Sequence, residues 1–246
     1  MHSHLDLSNV SAAEAAGWGL AYFTAIYLGF AVFHGLLHRW MMAKLGWGKR
    51  LNERPIEKDQ VWREMGWSAL SITVFGVGLI VPWWMVRQGW ATVVTNASWS
   101  TVLLELLALV AWNDVHFYVN HRLLHTKWAF PRFHLQHHRS VVTTPFSTYA
   151  FHPVEAALLG NVLLLPMLLH DFSVQALLSL PLVSLWFNSI GHVNWDPWPR
   201  LGVSHPLTSG RRHALHHARF NGNYGFLFPF VDAWMGTALK DTPLDR

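Results

Sequence analysis

Three short stretches of this 246-residue chain crowd histidines at helical spacing. "HRLLH" carries His121 and His125, "HLQHH" carries His134, His137 and His138, and "HALHH" carries His213, His216 and His217. A fourth stretch, "NSIGH", sets Asn188 and His192 at i and i+4. Residues at i, i+3 and i+4 lie on one side of a helix, so each stretch is expected to present its imidazoles together. Pro131 suits the first turn of a helix through the second stretch. Thr208 and Ser209 offer caps ahead of the third, and "NGNYG" would end it. Several neutral imidazoles converging on one point from adjacent helix turns is what metal binding demands. A pH sensor also uses clustered histidines but has no need of the repeated spacing. The eight imidazoles of the three groups, with His192 beside them, exceed what one four-coordinate ion takes, so two ions are expected. Imidazole suits iron, zinc, copper or nickel, and donor type alone does not choose among them.

The elements that must hold these groups are apolar. Hydrophobic residues make up 52% of the chain and charged residues 13%, about half the charge of an ordinary soluble domain. The absence of Cys excludes a disulfide framework and a thiolate metal site. Fifteen Trp and fifteen Phe fit aromatic belts at membrane interfaces. The windows 17–37, 67–86 and 100–119 each approach the ~20 residues a spanning helix needs. A further pair, 156–169 and 172–190, is separated by a turn at His170 and Asp171 and is expected to form a tilted or re-entrant hairpin, with Pro166 and Pro181 tolerated by neighbouring helices. The 17–37 window is too long for a signal-peptide core and no Lys or Arg precedes it, so it reads as a retained membrane helix. The chain is therefore expected to be an all-α integral membrane protein, one domain over 1–246, with about four to five membrane helices including the hairpin. Segments 120–155 and 191–246 would form a helical cap carrying a polyhistidine di-metal site.

Basic residues orient these spans. None precedes Arg39 and none lies between Gln88 and Ser100, whereas the loop 38–66 holds Arg39, Lys44, Lys49, Arg50, Arg54, Lys58 and Arg63. The positive-inside rule puts the N-terminus and the 88–99 loop outside and the cap in the cytoplasm. The net charge of +4 is then mostly topology signal, for which an anionic lipid surface is a sufficient partner; no nucleic-acid motif accompanies it. All the histidine groups fall at the same membrane face, and that convergence outweighs any single motif. "HGLLH" (His34, His38) has the spacing but no flanking cluster, and reads as the interfacial end of the first helix. His2 and His4 read as disordered-terminus residues, His116 as a packed histidine, and His170 as part of the outer hairpin turn; His205 has no spacing argument.

Taken together, "NDVHFYVNHRLLH", "FHLQHH", "FHPVEA", "NSIGHVNWDPWP" and "HALHHARFNGNYGFLFPFVDAWMGT" resemble the fatty acid hydroxylase superfamily, also called the sterol desaturase family, over roughly residues 100–240. Its members are membrane-bound non-haem di-iron oxygenases with ordered HxxxH, HxxHH and HxxHH boxes. The resemblance implies that His121 and His125, then His134, His137 and His138, then His213, His216 and His217 are metal ligands, with His192 a further one. The position four before His192 is histidine in some relatives and Asn188 here, a weaker donor that would act directly, through a water, or leave an open coordination position. His152 falls in a recurring family segment without a spaced partner, which favours a supporting or pocket role. Asp114, on the stripe of His121 with Tyr118, is a candidate carboxylate for the far N–H of a ligand imidazole, with helix-face packing the other reading.

The implied chemistry is O2-dependent hydroxylation or desaturation of a lipid or other hydrophobic substrate at two irons, with zinc an alternative occupant in isolated protein. Electrons would come from a separate ferredoxin or cytochrome with its reductase, because the chain has no Cys for an iron–sulfur cluster and no Rossmann fingerprint. Two other classes compete. A zinc-dependent membrane hydrolase would want a Glu inside a histidine box, and there is none. A non-catalytic metal-binding membrane protein, such as a transporter, would place its ligands near the bilayer midplane. Composition leans toward a bacterial inner membrane.

Overall fold

The computed structural model describes residues 3–242. Helix α1 (Ala12–Leu36) runs on through a π-helical stretch, Leu37–Met42. Helices α2 (Gln60–Gly78) and α3 (Ile80–Arg87) form one apolar rod, interrupted at Leu79 where Pro82 sits in the first turn of α3. Helix α4 (Trp99–Leu124) leads to the cap. There a π turn (Phe130–His134), a single turn of α5 (Leu135–His138) and a 3-10 turn (Pro145–Tyr149) follow in order. Helices α6 (Pro153–Gly160) and α7 (Leu164–Leu169) return into the apolar layer and α8 (Val174–His192) comes back. Helix α9 (Ser209–Arg219) and a short α10 (Phe230–Trp234) complete the cap. Its one antiparallel pair joins β1 (Lys49–Arg50) to β2 (Trp195–Asp196), with Lys49 opposite Asp196.

Among the described residues, four helices are long and apolar enough to cross a membrane: Ala12–Met42, Gln60–Arg87, Trp99–Leu124 and Val174–His192. The protein is an all-α integral membrane protein. The first arm of the expected hairpin, Pro153–Leu169, is shorter than these and below the ~20 residues of a full span. It is broken by a 3-10 turn at Asn161–Leu163. Pro166 has no N–H to give the carbonyl of Val162, and the Trp112 indole of α4 donates to that carbonyl instead (2.7 Å). Beside Pro181 of α8, the Tyr22 hydroxyl of α1 donates to the Leu178 carbonyl (2.6 Å). At Pro166 the freed carbonyl is thus served by a neighbouring helix.

Helices α1, α4 and α8 all start with a serine cap, at Ser11, Ser98 and Ser173. At that end the N-terminal segment, residues 93–95 and the hairpin turn are laced together by backbone. Leu5 N donates to Val93 O, Val94 N to Phe172 O, and Val174 N to Val94 O. His4 therefore bridges Val94 rather than dangling as a disordered-terminus residue, because the strand-like 93–95 segment offers its backbone a partner; His2 lies outside the described residues. His170 sits in this same region, 3.3 Å from Glu105, so the outer turn of the hairpin and the N-terminus share one end. His116 turns to Asn161 (2.8 Å), and His205 caps the turn at Pro206–Thr208. His34 and His38, read as the interfacial end of the first helix, are both buried, with their Nδ1 atoms 3.4 Å apart and the His34 ring against Trp186 of α8.

At the opposite end, α2 ties down the chain after the second histidine box. Glu64 accepts from Gln60 and Ser140 (2.7 Å each) and from the Thr144 hydroxyl, while Tyr27 and Ser68 both donate to the Phe146 carbonyl. Higher up, α1 and α2 touch backbone to backbone where Gly19 faces Gly76: a Cβ on Gly76 would lie 2.8 Å from Leu20 N. Small residues permit such close helix approach in membranes. Gly76→Leu is expected to force the pair apart and cost about 1–3 kcal/mol, whereas Gly78→Ala, at a position open to space, should leave stability unchanged or raise it. Thermal unfolding midpoints in detergent read both; equal midpoints would remove the close contact as a source of stability.

Candidate metal centre

The histidine boxes do not each build one site. Each is divided between two. His121, His125, His134, His138 and His216 form one group; His137, His192, His213 and His217 form another; within each, the nitrogens lie within 4.8 Å of one another. Helix geometry dictates the division. At about 100° per residue, i and i+4 stay within roughly 40° of each other, while adjacent residues diverge by the full step. His134 and His138 thus share an edge of α5 and face His121 and His125, and His137 points to His192 and His217, with ring centroids 5.2 and 4.7 Å away. In α9 the shares reverse: His213 and His217 serve the second group and His216 the first. The expectation of three imidazoles on one side of each helix is corrected accordingly. The single-turn α5 is itself set up by Pro131 in the preceding π turn, an irregularity common at functional sites. Thr208 does not cap α9 through its side chain; its hydroxyl donates to the carbonyls of Gly202, Val203 and His205.

The Nε2 atoms converge. In the first group, His121–His134, His134–His138, His125–His216 and His138–His216 are each 3.1 Å apart, and His125–His138 are 3.2 Å. In the second, His192–His213 are 3.2 Å and His213–His217 3.0 Å apart. The far nitrogens are held by acceptors. Nδ1 of His121 donates to Tyr224 O (2.8 Å), that of His216 to Gly222 O (2.7 Å) and that of His192 to Asn188 O (2.8 Å), and His125 donates to the Phe220 carbonyl. With the proton fixed on the far nitrogen, the Nε2 of each of these four presents a lone pair. Lone pairs at 3.0–3.2 Å repel; a cation between them turns the repulsion into ligation. Burial, and then the neighbouring imidazoles, hold His134, His137, His138, His213 and His217 well below the usual imidazole range, and His216 likewise, with His121 its main neighbour. All are thus in the neutral form that binds metal. The donor sets fit two ions.

Residues 106–237, just over half of the chain, match the fatty acid hydroxylase family model. The chain belongs to the fatty acid hydroxylase superfamily. Its similarity extends to a Delta(7)-sterol 5(6)-desaturase of Candida glabrata, at 27% identity over 72% of this chain and 48% of that protein. Protein CER1-like 2 of Arabidopsis thaliana is 31% identical over 80% of this chain and 34% of that one. A very-long-chain aldehyde decarbonylase, GL1-4, of Oryza sativa is 31% identical over 78% of this chain and 32% of that one. The chain thus spans about a third to a half of the length of these three relatives. No solved structure matches it significantly.

Three further residues around the boxes of this hydroxylase-family chain have defined partners. Asp114 touches no imidazole; its carboxylate takes the backbone N–H groups of Leu227, Phe226 and Phe228, because α4 buries it against that loop rather than beside His121. His152 caps α6 by accepting from Val154 N, and packs against Trp67 and Phe133. The Asn188 side-chain amide donates to Thr148 O (3.0 Å) while its backbone carbonyl serves His192, so its contribution in view is to orient that ligand. Sequence reasoning missed Glu155, the buried carboxylate 2.8 Å from His134 Nδ1. A lone acid at i+3 from His152 in an apolar segment was the available signal, since charge there is costly. It also missed Asp232, which takes Tyr224 N, Gly225 N and the Thr237 hydroxyl and so stiffens the loop whose carbonyls receive His121 and His216.

Because adjacent histidines serve different groups, His138→Ala and His137→Ala should each cost about one metal per chain, from different groups. Glu155→Gln should weaken retention at the first group by roughly 10- to 100-fold. Elemental analysis against a graded chelator series measures all three; loss of both metals from either single variant would contradict the division. The imidazole shifts also set a pH dependence. Unfolded imidazoles titrate near 6.5, about the ordinary value, and the folded ones well below, so the unfolded chain binds more protons once pH drops under about 6.5. Stability of metal-stripped protein should be level above that pH and fall as pH is lowered toward 5. A melting midpoint unchanged between pH 8 and 5 would contradict the buried neutral state.

Proposed function

We propose that the chain is an oxidoreductase that uses two irons and O2 to oxidise a C–H bond of a lipid or similarly hydrophobic substrate, by hydroxylation or desaturation. The observation that carries this is the pair of all-imidazole groups at the ends of α4 and α8, in which the far nitrogens of His121, His125, His192 and His216 end on backbone carbonyls. Bound there, a pair of reduced irons would supply O2-dependent oxidation of an unactivated C–H bond. His121, His125, His134, His138 and His216 would hold one ion and His137, His192, His213 and His217 the other. The relatives named for a sterol desaturase and a very-long-chain aldehyde decarbonylase support a lipid substrate.

The chain's own residues orient and exclude. Glu155 and the carbonyls of Phe220, Gly222 and Tyr224 aim the first group, and Asn188 aims His192. Phe130 and Phe220 pack on His138, and Phe151 on His137, keeping bulk water from the imidazoles. A histidine-bearing end at the membrane face suits a substrate arriving sideways from the bilayer. The same end carries the basic 38–66 segment, which supports a cytoplasmic site with the N-terminus outside. It also supports docking of an acidic electron donor, a ferredoxin or cytochrome with its reductase.

Protein purified from detergent without chelator or affinity-tag nickel is expected to hold about two irons per chain. Substrate-dependent O2 uptake should appear only when a reduced ferredoxin or cytochrome is supplied. Turnover with NAD(P)H alone would overturn the separate donor. Zinc at both positions, with no oxidation after iron reconstitution, would overturn the oxygenase reading in favour of a hydrolase or a binding protein.

A further inference from the structure

The segment "FLFPFVDAWM", residues 226–235, closes the third histidine box and has no assigned part in the chemistry. Its side chains face outward to an unusual degree for the end of a domain: Trp234 is 82% exposed, Met235 53% and Phe230 51%. Its only charged residue, Asp232, is buried and turned inward onto Tyr224 N, Gly225 N and the Thr237 hydroxyl. An apolar segment of this kind on a water-facing cap would be an anomaly.

Its height along α4 resolves the anomaly. Leu227 N donates to Asp114 (2.8 Å), the Phe226 ring packs on Phe117 (4.8 Å), and Thr237 meets the Tyr118 hydroxyl (3.1 Å). Asp114 precedes Val119, the inner end of the 100–119 apolar window, by five residues, so Leu227 lies about 8 Å inside that window at 1.5 Å per residue. Val115 and Val119, on the neighbouring stripe of α4, are exposed apolar residues as well. The loop is also equipped to leave water. Asp114 takes the N–H groups of Phe226, Leu227 and Phe228, and Arg212 donates to Leu227 O (2.7 Å). Pro229 has none to satisfy. Ala233, Met235, Gly236 and Thr237 N–H bond within the loop. Irregular backbone survives at membrane depth only when it is satisfied by protein in this way.

We propose that residues 226–235 are a membrane-inserted loop, its Phe230, Trp234 and Met235 side chains in contact with bilayer lipid at the depth of an interfacial element. The bilayer is then a direct partner of the loop whose Asp232 holds the Tyr224 and Gly225 N–H groups, beside the segment whose carbonyls receive the first histidine group. This rests on α4 crossing the membrane and is independent of which metal or reaction the site supports.

The absence of native Cys makes the test direct. Single-cysteine variants Trp234→Cys and Met235→Cys, nitroxide-labelled and reconstituted in phosphatidylcholine vesicles, are compared with Val115→Cys on the exposed face of α4 and Glu53→Cys on the polar loop. Both loop labels are expected to relax with O2 and resist a water-soluble nickel chelate, with an accessibility ratio closer to position 115 than to 53. A ratio closer to position 53 for both, in variants whose helical circular dichroism matches the parent, would overturn the insertion. The two loop positions serve as each other's control should one variant misfold.

Discussion

Nine imidazoles drawn into two groups, eight of them with Nε2 atoms in 3.0–3.2 Å contacts, are the constraint on which the rest of this structure depends. Neutral imidazoles so arranged repel one another, and protonating them would bury charge against charge. Only cations relieve the crowding. The metal-binding reading therefore follows from the arrangement itself, and the surrounding fold can be understood as the apparatus that makes so unfavourable an arrangement persist.

That apparatus is mostly backbone. The far nitrogens of His121, His125, His192 and His216 end on carbonyls of Tyr224, Phe220, Asn188 and Gly222. Three of those carbonyls belong to one short segment, 220–224. Phe220 takes a left-handed conformation there (φ 66°), an uncommon state for a bulky residue that the αL end of α9 and the packing of its ring on His138 maintain. Asn223 and Asp232 pin the same segment, and Asp114 pins residues 226–228 just beyond it. Second and third contacts from the histidines thus decide the tautomers, and side chains that never reach a metal carry the geometry.

Beneath the cap, the apolar helices do two jobs. They present histidines at their inner ends, on α4 and α8, and they absorb the irregularities that the chain's turns require. Trp112 and Tyr22 serve the carbonyls beside Pro166 and Pro181, and the Gly19–Gly76 contact lets α1 and α2 approach closely. The buried Glu64 and its hydroxyl donors then bind α2 to the segment after the second box.

Sequence alone determined that the chain is helical and membrane-embedded, because a hydrophobic window of ~20 residues has few other fates. It also determined which residues are ligand candidates, because i, i+3 and i+4 spacing is a local property of the helix. It did not determine how those residues are shared. His137 and His138 are neighbours in the chain, yet face different groups, since which edge of α5 meets α4 and which meets α8 is a matter of helix packing. Glu155 and Asp232 lay unread for the same reason: each is separated from the histidine or carbonyl it serves by a turn of chain that only tertiary contact closes. Asp114 shows the converse. Its stripe on α4 pointed toward His121, and the loop that folded over it claimed the carboxylate instead.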